Sequence, residues 1–345
     1  MHFPRLYDAV VALTLCCISC GGGSSNSTAS APTSPTTPST PTSPTTPTTP
    51  TTPTTPSGAS TFSFTKAPLD LTRIQWITPL GNLNPPGHTF PTDHIYFFHH
   101  YLRESDAQYD VFAPADGTIA TIQKSDDDAV YIAASTIHTY YLGHMKADAA
   151  LAVGQKVTAG QRLGTTSPVS HALDLGVMNS TVTVPFINPD RYSVNSRQSE
   201  APLTYGSDAL KTQLYALVQS TPDNRDGKIN FDVAGTVSGN WFHETLAISE
   251  STGPTAGPKL IAFVRDPADP SKRVVSVGGT VGVAGVYYLK STDPDFTSIT
   301  PSSGPVTLHL SNTQQALVDA VMTVTLTTGT RLRVQFQNSD QFYVR

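Results

Sequence analysis

The sequence predicts a mostly β fold: a small β sandwich, a short helix, and then an antiparallel β barrel or sandwich. Three observations predict it. Between about Thr61 and Pro202, short apolar runs are broken by Gly, Pro and Asp turns with little helical periodicity. After about residue 220, seven further runs follow at short spacings, from "KINFDVAGTVSGNWF" to "FYVR". Only "SDALKTQLYALVQS", Ser207 to Ser220, has a helical stripe, formed by Leu210, Leu214, Leu217 and Val218, with Ser207 placed to cap it.

Taken in order, residues 1–20 read as an export signal: Arg5, an apolar run from Ala9 to Leu15, then small residues. That run is too short to span a bilayer. "CISCGGG" resembles a bacterial lipoprotein signal, which implies lipidation of Cys20, between Ser19 and Gly21. Cys17 stands where that motif has Leu, so Cys16 and Cys17 remain alternative acceptors. The expected location is therefore the bacterial cell envelope, at the outer membrane or in the periplasm, with a lipid holding the chain to a membrane.

Residues 21–60 form a tether. From Ala31 to Ser57 the chain is almost entirely Thr, Ser and Pro, with nothing to bury, and in a polyproline-like form it reaches roughly 80 Å. Two folded regions follow, 61–204 and 205–345, and the 38% apolar content of the chain supports real cores in them. A net charge of −5 with 14% charged residues leaves no basic footprint, which excludes nucleic acid as the expected partner. All three cysteines lie in the first twenty residues, so a metal in the folded regions must use His, Asp or Glu.

The first folded region carries a repeated grammar. "DVFAPADGTIATI", Asp110 to Ile122, is a strand, a turn and a strand, and "VGQKVTAGQRLG", Val153 to Gly164, repeats it with glycines at the turns. This pairing resembles the duplicated hybrid motif shared by lysostaphin-like zinc peptidases and biotinyl or lipoyl carrier domains. A carrier needs an exposed Met-Lys hairpin between the halves, and Met145-Lys146 lies beside a histidine instead. The peptidase branch fits better, because "APADGTI", "YYLGHM", "VGQKVTAGQRLG" and "SHALDLGV" stand in that family's order, over residues 88 to about 180.

The resemblance implies a zinc site. The family's last strand carries His-x-His on one face; in "HALDLGV" the apolar face of Leu173, Leu175 and Val177 fixes the register and leaves Ala172, Asp174 and Gly176 on the other. On that register Asp174 takes the position of a zinc ligand, and Ala172 stands where the family has a catalytic histidine. His171 points to the other side and reaches the site only through a bulge. His144 matches the histidine of the family's "Y-x-H" strand, which assists proton transfer or binds the oxyanion.

The opening pair of the family, His-xxx-Asp, is altered in "GHTFPTDHIYFFHH", where Thr92 lies four residues after His88. The expected ligands are His88 and His94, with Asp174 as the carboxylate and an open fourth position. Asp93 is a substitute for His94 or a partner that holds an imidazole. In this run His94, Tyr96 and Phe98 share one face, and Asp93, Ile95 and Phe97 the other. His99 and His100, in a segment running to about Gln108 that resembles an inserted hairpin, are expected to face solvent.

In the second folded region, "GNWF", Gly239 to Phe242, resembles the Gly-x-Trp of lipocalin-like barrels, and "DNRDGK" near Asp223 fails the acidic spacing of a calcium loop and reads as a turn. Two functions follow from the resemblance. One is a zinc endopeptidase acting on peptidoglycan cross-links or similar envelope peptides. The other is an inactive lipoprotein that binds peptidoglycan, glycan or a partner protein through the same fold.

Overall fold

A computed structural model describes residues 62–100 and 106–345. The cysteines, the export signal and the whole of the tether lie outside the described residues, as does the centre of the expected inserted hairpin. The fold is mostly β, and its two β systems belong to one compact unit, Pro56–Arg345.

The first system is a ten-stranded sheet. Its strands are β1 (Ile74–Thr78), β2 (Ile95–His99), β3 (Asp110–Phe112), β4 (Gly117–Gln123), β5 (Asp128–Ala133), β6 (His138–Ala147), β7 (Lys156–Val157), β8 (Arg162–Thr166), β9 (Ala172–Asn179) and β10 (Ser199–Glu200). The main path runs β1-β2-β9-β6-β5-β4-β7, with β3 and β8 paired to each other and β8 also to β6. Alternation decides what faces the core. Leu173, Leu175 and Val177 of β9 join Ile95 and Phe97 of β2 in one apolar cluster, each at most 1% exposed, so the alternate residues Tyr96 and Asp174 are turned to the other face, where they are register partners.

The helix of the second region is shorter than its apolar stripe. α1 is a single turn, Val194–Arg197, and α2 covers Asp208–Tyr215. Ser207 occupies the N-cap position without a side-chain capping bond. The chain leaves α2 because its next residues bond to β1 instead: Ile77 N–H donates to Leu217 O, and Gln219 N–H donates to Ile77 O, both at 2.9 Å. Leu210 and Leu214 still bury into the sheet's core, as do Phe242, Leu246 and Leu260 from further along.

The second β system is a closed barrel. Its strands, β11 (Gly239–His243), β12 (Leu260–Arg265), β13 (Arg273–Val277), β14 (Gly285–Leu289), β15 (Val306–Asn312), β16 (Leu317–Thr328), β17 (Arg331–Phe336) and β18 (Ser339–Val344), pair antiparallel in chain order, and β18 returns to β11. Of the predicted run "KINFDVAGTVSGNWF" only Gly239 onward is strand. Trp241, Phe263, Tyr287 and Tyr343 fill the interior, each 0% exposed.

Candidate functional site

The site lies on the solvent-side face of β2, β6 and β9, where neighbouring strands bring distant residues together. β9 presents Asp174, 7% exposed. In register opposite Asp174 on β6 is Gly143, where a Cβ would lie 3.2 Å from the Asp174 carboxylate, so the glycine leaves room for that side chain. His144 follows in a bulge: Asp128 of β5 pairs with Met145 and Val130 with Leu142, so the bulge falls at Gly143 and His144. Its φ of 57°, left-handed for a non-glycine residue, re-aims the imidazole towards Asp174.

Two imidazoles converge on one carboxylate oxygen. Asp174 Oδ2 lies 3.3 Å from His94 Nε2 and 3.4 Å from His144 Nε2. Each ring is held from behind by another carboxylate. His94 Nδ1–H donates to Asp93 Oδ1 at 2.9 Å, and His144 Nδ1–H donates to Asp127 Oδ2. The order in space is thus Asp93, His94, Asp174, His144, Asp127, acid alternating with base. The Tyr96 hydroxyl lies 2.9 Å from His94 Nε2. The Tyr141 hydroxyl donates to Asp93 Oδ1 at 2.9 Å, and the Ser196 hydroxyl of α1 donates to Asp93 Oδ2 at 2.5 Å.

The charges follow from burial and these partners. Burial works against the charge of Asp93, but the hydrogen bond and charge of His94, with the Ser196 and Tyr141 hydroxyls, hold its carboxyl down at about 2. Burial also opposes protonation of His144, yet Asp127 and Asp174 raise that ring to about 9. Burial pushes Asp174 upward against the pull of His94 and His144. His94 is raised, its burial being outweighed by Asp174 and Asp93.

His88 is set apart. It sits on the loop before β2, where His88 and Asn84 exchange backbone hydrogen bonds of 2.8 and 2.9 Å. Its ring stands edge-on to His94, with centroids 5.7 Å apart. Burial, then the neighbouring His94 and His144, push it down to about 4, so it is a neutral imidazole. His171 is exposed immediately before β9, and its carbonyl accepts from His99 N–H at 3.2 Å. The expectation that His99 faces solvent is corrected: it is the last residue of β2 and 3% exposed, covered by the Tyr109 ring, whereas His100 is exposed. Extending β2 by one pair with β1, Ile74 opposite His99, draws it inside.

Asp127, Tyr96 and Ser196 carry no motif. Asp127 reaches His144 only through the β4–β5 turn and the bulge, and Ser196 only through α1. Tyr96 was legible in part, because alternation puts it on the face of His94.

Among the described residues, no group of three or more His, Cys, Asp or Glu side chains is arranged to hold a metal ion. The donor chemistry of the convergent pair still suits zinc. An ion bonded tetrahedrally to nitrogen and oxygen at about 2.0–2.2 Å sets those two donors about 3.3–3.5 Å apart, which matches the His94–Asp174 separation of 3.3 Å. Asp174 Oδ1 is also buried without a hydrogen-bond partner, an acceptor left over by the protein's own groups.

No family model matches the chain, and no curated protein gives a significant match. Solved structures similar to it include a zinc containing peptidase from Vibrio cholerae, 18% identical, covering 34% of this chain and 37% of that one with a TM-score of 0.28. Helicobacter pylori Csd3 is 20% identical over 34% of this chain and 32% of that one, TM-score 0.27. The catalytic domain of the antimicrobial peptidase lysostaphin from Staphylococcus simulans is 19% identical over 36% of this chain and 84% of that one, TM-score 0.24. The chain spans about a third of the length of the first two.

Proposed function

We propose that this chain is a cell-envelope lipoprotein whose sheet domain is a zinc endopeptidase acting on peptidoglycan or similar envelope peptides. The observation that carries the reading is the convergence of His94 Nε2 and His144 Nε2 on Asp174 Oδ2, at 3.3 and 3.4 Å, with each imidazole backed by its own carboxylate. His94 and Asp174 hold the ion, and His88, a neutral imidazole on the entering loop, is the third donor. A metal ligand must be deprotonated, and burial keeps His88 so. Zinc so held supplies Lewis-acid polarisation of a scissile carbonyl.

The protein's own residues do the rest. Asp93, pinned by Tyr141 and Ser196, fixes the orientation of His94. His144 holds a proton at Nε2, on the side where a leaving amine would need one. Attachment through Cys20 and the Thr/Pro tether keep the domain near the envelope and free to range from its membrane.

Metal analysis of the purified protein tests the reading. The expected result is one zinc per chain, lost in His88→Ala and Asp174→Ala, with cleavage of cross-linked peptidoglycan peptides by the wild type. Zinc without cleavage would leave the inactive binding lipoprotein, to which Ala172 at the family's histidine position belongs. A wild-type protein that takes up no zinc would overturn the proposal.

A further inference from the structure

We propose that Asp127 is a positioning residue of this site: from the β4–β5 turn its carboxylate holds Nδ1–H of His144, so that Nε2 faces Asp174. Two independent features carry this. The first is the backbone at His144, which adopts a left-handed φ of 57° directly after Gly143. Such a conformation is unfavourable for a non-glycine residue and persists only where surrounding interactions over-determine it. The second is the way Asp127 is itself held. Its N–H donates to Ser125 Oγ at 3.0 Å, and the Ser125 hydroxyl donates back to Asp127 O at 2.6 Å.

Both nitrogens of His144 face a carboxylate, but the Nδ1 contact with Asp127 is the closer, so the protonated ring carries a proton on each nitrogen, and the neutral ring keeps its one proton on Nδ1 and the lone pair on Nε2. That nitrogen is the one 3.4 Å from Asp174 Oδ2. Asp93 does the same for His94 from the opposite end of the row. Asp127 Oδ1 is meanwhile buried with no partner, so its carboxylate is committed to this single contact among the described residues.

The catalytic consequence rests on the zinc-peptidase reading, but the positioning itself is testable without it. Imidazole nitrogen and proton shifts of isotope-labelled, metal-free protein, recorded above the titration of the ring, report which nitrogen carries the proton. In the wild type His144 is expected as the Nδ1–H form. In Asp127→Ala it is expected to revert to the Nε2–H form common in water, while Asp126→Asn leaves it unchanged and Asp127→Glu restores Nδ1–H in part. A wild-type ring protonated on Nε2 overturns the proposal whether or not any variant folds, as does an Nδ1–H form that survives in Asp127→Ala.

In the peptidase assay Asp127→Ala is expected to lower kcat about 10–100-fold with little change in KM. Unchanged kcat in a variant whose ring has reverted overturns the positioning role. The expected ring states in a wild type that neither binds zinc nor cleaves peptide remove the functional reading and leave the assignment of Asp127 standing.

Discussion

Gly176 of β9 lies opposite Tyr141 of β6, and the phenol ring occupies the space a side chain at 176 would need: a Cβ there would come within 2.2 Å of the ring. The same phenol donates to Asp93, which holds His94. Close approach at Gly176 is therefore what lets Tyr141 reach across the sheet. Gly176→Ala is expected to cost about 1–3 kcal/mol by overpacking, read as a lower urea midpoint. It is also expected to detach Tyr141 from Asp93. An unchanged midpoint would mean that the ring is free to step aside.

Asp128 gives a pH prediction. It is 3% exposed, and its carboxylate accepts from Ser125 N–H and Ala147 N–H at 3.0 Å each and from the Lys124 ammonium at 3.2 Å. Burial alone would raise its pKa; those donors outweigh burial and hold it below 3.8. A carboxyl depressed by folding stabilises the protein above its unfolded pKa, and that contribution is lost as pH falls through the lower folded value. Stability is therefore expected to fall with acid from about pH 4 downward. Asp128→Asn is expected to lower stability at neutral pH by about 1–3 kcal/mol and to flatten the acid limb. Parallel acid limbs for the two proteins would assign the acid sensitivity elsewhere.

Why these carboxylates and imidazoles meet was only partly legible in the sequence. Strand alternation fixed β9 and β2 because one face of each is buried in the core, where a register slip would expose Leu173, Leu175 and Phe97 together. That is enough to put Asp174, His94 and Tyr96 on the other face. The direction of His144 was not legible, since a bulge with a left-handed residue breaks the period of two. Nor was Asp127, one of three consecutive aspartates that a turn alone sorts into roles. In the second region, strand spacing allowed a barrel or a sandwich equally, because closure depends on the pairing of β18 with β11, residues about a hundred apart.

Arg345 and Trp241 close the barrel chemically. The guanidinium lies 3.9 Å over the indole, and it donates to the carbonyls of Asn240, Val233 and Val237 at 3.3 Å and to that of Ser238. The indole N–H donates to Val237 O at 2.8 Å. Lysine offers neither the planar fork nor the stacking face. Arg345→Lys is expected to destabilise the protein by about 2 kcal/mol, through the lost cation–π contact and the lost guanidinium hydrogen bonds. Near-ultraviolet circular dichroism during denaturation would register it, and a wild-type midpoint in the variant would show the guanidinium to be replaceable.

The barrel also reaches the site through a loop. Thr89, one residue after His88 and 1% exposed, donates its hydroxyl to Gly257 O at 2.9 Å. Phe90 packs edge-on against Phe242 of β11, with centroids 5.0 Å apart. Gly257 itself has no space for a side chain, because a Cβ there would lie 2.0 Å from Pro86 O, a backbone atom that cannot swing away. The segment carrying His88 is thus pressed between the sheet and the barrel, and substitutions in the barrel should be felt at His88. Thr89→Val removes this donor and leaves the Gly257 carbonyl with the Leu260 N–H alone, an expected cost of about 0.5–1.5 kcal/mol. Gly257→Ala is expected to displace residues 84–90 and move the His88 ring resonances, with those of His138 on the far part of β6 unchanged. If His88 keeps its wild-type shifts in Gly257→Ala, the barrel packs against the loop without setting its position.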